Sequence, residues 1–195
     1  MTLGRPIEFD PQQAMDVAMC VFWRRGYDAT SLDDLLADMD ISKSSFYQAF
    51  GSKLDLFQRC LGNYRDSIAD RLRTSLDQSA SGKAFIETIL TSVADGLADP
   101  MGRCGCLLMN TAKEFAQRDP QIAALVAKSL ERIEDLFYAA VCRAQAEEDI
   151  AKDAKARSLA FFIITNLGGL GAMAQAGASR EKIRAVVQIV MNALR

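Results

Sequence analysis

The chain has 195 residues, 50% of them hydrophobic and 25% charged, with a formal charge of -2. That is enough apolar material for a real core and too much for a disordered chain. The absence of histidine removes His-dependent hydrolysis and His-ligated zinc, and the five cysteines lack paired metal spacing. A reducing cytoplasm, no metal and no cofactor are therefore expected.

Taken in chain order, the pattern predicts an all-α protein. Asp10-Pro11 places a cap and a first-turn proline ahead of Ala14, Val17, Ala18, Val21 and Phe22, and Gly26 ends that helix. Ser31 with Asp34 forms a capping-box signature before Leu32, Leu35, Leu36 and Met39, which share one helical face. Asp40-Ile41 makes a turn and Ser42 caps a third helix. In it Phe46 and Phe50 face inward, while Lys43, Ser44, Ser45, Tyr47 and Gln48 remain outside. Ser52 opens a long fourth helix with Leu54, Phe57, Leu61, Tyr64, Ile68, Leu72 and Leu76 on one stripe. After the break at Ser79 to Gly82, a fifth helix ends before Pro100 and a loop follows to Gly105. A short sixth helix spans Cys106 to about Gln117, and Asp119-Pro120 caps a long seventh. The eighth covers about Asp153 to Gln175, and Gly177 with Ser179 separates it from a ninth. The apolar run from Leu159 to Ala174 is shorter than the ~20 residues that span a bilayer, so a buried helix and no membrane partner are expected.

The second and third helices read as a DNA-reading device. Hydroxyl, amide and ammonium groups on an outward face suit phosphate oxygens and base edges. The net acidity argues against nucleic acid at first, but Arg5, Lys43 and Lys53 are placed in the arm, the third helix and the next helix start. Ser44, Ser45 and Gln48 are assigned to bases, and Thr30, Lys43, Tyr47 and Lys53 to phosphates. Arg5, in the arm Gly4-Arg5-Pro6, is assigned to an adjacent minor groove.

Phe22 with Gly26-Tyr27, Thr30-Ser31, Ile41-Ser42-Lys43, Phe46-Tyr47, Phe50 and Ser52-Lys53 resemble the helix-turn-helix of the tetracycline-repressor (TetR) family of bacterial regulators. The resemblance covers about the first quarter of the chain. Ser44 departs from a frequent glycine, and Gln48-Ala49 from a frequent aromatic or histidine, so base preference does not carry over. It implies a three-helix DNA-binding domain over residues 1–52 and a larger helical effector-binding and dimerisation domain over 53–195.

Such a regulator needs two reading heads, because one recognition helix covers too few base pairs to select an operator. A homodimer on a palindrome-like duplex is expected, with Leu159, Phe162, Ile163, Leu167 and Leu170 beside Gly168, Gly169 and Gly171 as its face. Helices four to seven are expected to enclose a small-molecule effector. Tyr64, Phe85, Ile89, Met109, Phe115, Phe137 and Phe161 are the expected linings, with Asn110, Thr111 and Glu114 as polar anchors. Cys104 and Cys106 sit at a helix start beside Arg103, where thiolate character would favour a redox or alkylation switch. The expected activity is therefore that of a non-enzymatic repressor released by a ligand or by thiol modification. A helical protein-binding or scaffold protein is the alternative.

Overall fold

The computed structural model describes residues 9–194, and the expected arm with Arg5 lies outside them. Among the described residues there are nine α-helices and no strand: α1 (Pro11–Arg25), α2 (Leu32–Met39), α3 (Lys43–Phe50), α4 (Lys53–Gln78), α5 (Gly82–Asp95), α6 (Leu107–Phe115), α7 (Pro120–Ala146), α8 (Ala156–Gln175) and α9 (Arg180–Ala193). The all-α expectation holds. Helix α5 ends at Asp95, earlier than expected, in a 3-10 turn at Gly96–Ala98, and a second such turn, Gly102–Cys104, stands where an irregular loop was expected.

Local chemistry explains most helix starts. The Asp10 carboxylate accepts from Gln12 N and Gln13 N, and the Ser31/Asp34 capping box is complete. Ser42, Ser52, Ser81, Asp119 and Ser179 each accept from a backbone N–H in the first turn of α3, α4, α5, α7 and α9. Only α6 and α8 start without a side-chain cap. For α6 the preceding segment is held from within, since Asn110 Nδ2 donates to Cys104 O at 2.8 Å and Gln175 Nε2 bonds the same carbonyl.

Helices α1 to α3 pack around Ala18, Phe22, Leu35, Phe46 and Phe50, all buried. Burial of each such side chain contributes roughly 1.5–3 kcal/mol, so one face of α3 is fixed by the core and the other is displayed. In the remainder α7 packs against α4, α5, α6 and α8, while α9 lies on α5 and α8. Gly82 is required where α5 crosses α7, because a Cβ there would stand 2.2 Å from Ala140 O.

Helix α8 is less buried than the sequence suggested. It is long and apolar enough to cross a membrane, yet only 28% of its most apolar window is buried. Ile163 and Leu170, expected on the dimer face, are buried within the protomer. Phe162, expected there too, is exposed, as are Met173 of α8 and Val186 and Ile189 of α9, while the exposed Phe161 borders the cavity described below. Gly168 does not free that face either: its Cβ position lies 3.2 Å from Met109 Cε, so it admits α6 from the inside.

Candidate nucleic-acid interface and effector cavity

The turn between α2 and α3 rests on Asp40, whose left-handed φ of 52° reverses the chain without glycine. Ser42 then starts α3, and Phe46 and Phe50 lock it from below. Lys43, Ser44, Tyr47 and Gln48 stand exposed along its outer face, with Tyr47 at 50% exposure. Its ring packs edge-on against Phe46 at 5.5 Å, so the phenol is oriented before any partner arrives. Ser45 is only half-exposed, and its hydroxyl and that of Ser44 both bond Ser42 Oγ, at 2.8 and 2.9 Å.

Two expected phosphate binders are placed differently. Thr30 is fully buried and its hydroxyl donates to Gly26 O at 2.7 Å, which closes the α1–α2 connection; it is not presented to a duplex. Lys53 is half-buried, with Nζ 4.0 Å above the Tyr27 ring. Desolvation lowers its pKa, and Asp28 and Glu114 oppose that shift.

The joint between α1–α3 and the rest of the chain is built on Tyr27. Its ring meets Phe57 of α4 at 4.9 Å and Phe115 of α6 at 5.3 Å. Glu114, expected as an effector anchor, instead accepts from Tyr27 N at 3.1 Å and Asp28 N at 2.7 Å. Arg118, just beyond α6, pairs with Asp28. Trp23 Nε1 donates to Gly105 O at 3.0 Å. Thus α6 and the residues flanking it are tied to the helix-turn-helix by three polar links and one aromatic cluster. None of these links was visible in the sequence beyond the Gly26-Tyr27 motif, because they join residues 82 to 90 positions apart.

A cavity of about 1650 Å3 opens between α4, α5, α6, α7 and α8. Tyr64, Ile89, Met109, Asn110 and Phe161 border it, as does Cys106. Helix α8 forms one wall, which extends the expected enclosure by helices four to seven. Phe85 and Phe137 do not line it: both are fully buried, with ring centroids 5.7 Å apart, and their packing joins α5 to α7. Phe115 is also removed from it, stacked on Phe57 at 5.5 Å. Thr111 does not border it either; its hydroxyl donates to Leu107 O within α6.

The two cysteines differ. Burial raises the Cys104 pKa, only partly countered by Arg24, a direction opposite to the one expected for a thiol at a helix start. Its thiol donates to Pro100 O at 3.4 Å. Cys106 is the N-cap residue of α6 and faces Tyr64 at the cavity wall; burial first, then Cys106, pushes the Tyr64 hydroxyl up. Cys60, in the core of α4, is pushed up to about 12 by desolvation. Among the described residues no group of His, Cys, Asp and Glu is placed to hold a metal ion.

A helix-turn-helix joined to a larger helical body is the arrangement of HTH-type transcriptional regulators. Residues 14–60 match the family model of bacterial regulatory proteins of the tetR family, and residues 82–190 match the tetracyclin repressor-like C-terminal domain. The chain belongs to the TetR family of transcriptional regulators.

Its curated relatives include the uncharacterized HTH-type regulator YezE of Bacillus subtilis, 28% identical over 98% of this chain and 100% of that protein. The transcriptional repressor BdcR of Escherichia coli is 29% identical over 98% of this chain and 92% of its own. Among solved structures, a cysteine mutant of the TetR-family regulator CifR, complexed with 26-base-pair double-strand operator DNA, superposes with a TM-score of 0.85. It is 31% identical and covers 98% of this chain and 100% of its own.

Proposed function

We propose that this protein is a homodimeric repressor that reads a palindrome-like operator and is released by a small molecule or by thiol modification at the cavity. The observation that carries the reading is α3: one face is locked by Phe46 and Phe50, and the other displays Lys43, Ser44, Tyr47 and Gln48 as exposed side chains. In this reading Lys43 and Tyr47 hold phosphates, Gln48 and Ser44 meet base edges, and Ser45 joins them by releasing Ser42. Lys53 supports the interface from its half-buried place at the start of α4.

Several features support the rest. Two curated relatives are named as repressors. Phe162, Met173, Val186 and Ile189 are exposed apolar side chains on α8 and α9, of the kind that close a two-fold helix bundle. The cavity touches α4 and α6, the helices that meet Tyr27 through Phe57 and Phe115. An occupant that prefers one arrangement of α6 shifts the heads by its difference in affinity for the two states. Cys106 borders the cavity together with Cys20, and because it is the N-cap residue of α6, modification there acts at the same helix.

Binding to random and operator duplexes tests this. Lys43→Ala and Tyr47→Ala should each weaken binding at least tenfold, and Lys43→Ala should reduce the salt slope by about 1. Salt-independent binding, or full affinity in both variants, contradicts the assignment.

A further inference from the structure

A second cavity, about 320 Å3, lies in the joint between the end of α1 and the segment entering α6. Trp23, Asn110 and Gln175 form the wall it shares with the large cavity. Its charge is lopsided: Arg24, Arg25 and Arg103 border it, against the single carboxylate of Glu114. Both Glu114 oxygens are already occupied by Tyr27 N and Asp28 N. Arg25 reaches Asp34 and Asp38, at 3.7 and 3.8 Å.

Arg24 and Arg103 meet no carboxylate among the described residues. Arg24 gives its Nε to Met101 Sδ at 3.3 Å, and Arg103 gives its Nε to Leu97 O at 2.8 Å. These bonds fix the two side chains and leave their terminal η nitrogens without a described protein acceptor. Three uncharged donors nearby are spent on carbonyls: Asn110 and Gln175 on Cys104 O, Trp23 on Gly105 O. What remains is a pair of guanidinium forks, one from each side of the joint, in a concavity at the small end of the ligand-pocket range of ~300–1,000 Å3.

We propose that this cavity binds a small oxyanion, a phosphate or carboxylate group, between Arg24 of α1 and Arg103 of the segment before α6. A planar guanidinium matches both kinds of oxyanion with two parallel N–H donations. The Trp23 ring supplies an apolar wall for a short carbon body. Because the two arginines belong to opposite sides of the joint, the bound anion bridges them and biases the placement of the reading head relative to α6. This consequence, unlike the binding itself, rests on the proposed regulator function.

Trp23 is the only tryptophan in the chain, and its fluorescence reports the site directly. The full-length protein is titrated with inorganic phosphate and, separately, with citrate, at constant ionic strength set by chloride. A saturable change with at least one anion is expected, and which one responds identifies the oxyanion class. Its midpoint should move at least tenfold in Arg24→Gln and in Arg103→Gln, and stay unchanged in Lys152→Gln, an exposed cation paired with Glu148 away from the joint. Circular dichroism verifies the fold of each variant; should Arg103→Gln unfold, Arg24→Gln decides, since Arg24 bonds no backbone carbonyl among the described residues. No saturable change with either anion, or an unaltered midpoint in Arg24→Gln, overturns the site. In a second arm, the anion should shift wild-type operator affinity at least ~fivefold and leave Arg24→Gln unshifted. A saturable titration without that shift overturns the bridging role. Failure to bind operator in chloride alone refutes the regulator function instead, and the fluorescence titration still decides the site.

Discussion

Glu114→Gln isolates the link between α6 and the helix-turn-helix. The carboxylate accepts two backbone N–H groups, at 3.1 and 2.7 Å, from Tyr27 and Asp28. The amide is nearly isosteric but keeps one acceptor oxygen and turns an NH2 donor toward the second N–H. One bond is lost and the other becomes neutral. A hydrogen bond to a charged group contributes ~1.5–3 kcal/mol and a neutral one ~1 kcal/mol, so about 2 kcal/mol is at stake before solvent replaces part of it at the exposed Asp28 N. A net loss of ~1–2 kcal/mol is the expectation, a factor of roughly 5–30 in the docking equilibrium of the head. Urea unfolding followed at Trp23 should show a lowered midpoint. Operator binding should weaken, because a looser head is ordered at a cost when it docks. Wild-type urea stability together with wild-type operator affinity would refute the idea that Glu114 couples α6 to the reading head.

Ile189→Glu places a charge on the most exposed large hydrophobic residue, at 67% exposure, and should raise the dimer dissociation constant at least tenfold in analytical ultracentrifugation. An unchanged dimer would move the interface away from α8 and α9. Acid should destabilise the fold with a definite sign. The Asp28 carboxyl is held low by hydrogen bonding to Arg118, Asp34 by Ser31, Asp66 by Arg65 and Glu147 by the Gly82 N–H. A depressed folded pKa means stabilisation that is fully present above the unfolded value of ~4 and is lost as pH falls through the lower folded values. Melting temperature should therefore fall below about pH 4, and Asp28→Asn should flatten part of that decline; identical acid limbs in the two proteins would remove the Asp28 contribution.

The helix-turn-helix was legible because its determinants are local. Ser31, Asp34, Ser42 and Ser52 cap their own first turns, and the alternation of Phe46 and Phe50 with Lys43, Tyr47 and Gln48 fixes which side of α3 is shown. Thr30 was misplaced because a hydroxyl beside a turn has the same sequence signature whether it faces a phosphate or, as here, the Gly26 carbonyl. The cavity was less legible. Periodicity marks an inward face without showing whether it meets another side chain: Phe85 finds Phe137, whereas Ile89, one turn on, borders open space. Helix α8 is apolar nearly all round, so its pattern did not separate the face on α7 from the face left outside. The joint links through Glu114, Arg118 and Trp23 depend on contacts across more than eighty residues, which no local pattern encodes.

The proposed function requires two copies of α3 to read one duplex. Selection of bound DNA from a random pool, with the wild-type protein at low salt, measures this directly. The account predicts enriched sequences with two inverted half-sites, centres one helical turn or a multiple of it apart, and no enrichment with Tyr47→Ala. Enrichment of a single unrepeated site, or no enrichment by the wild type, would contradict it.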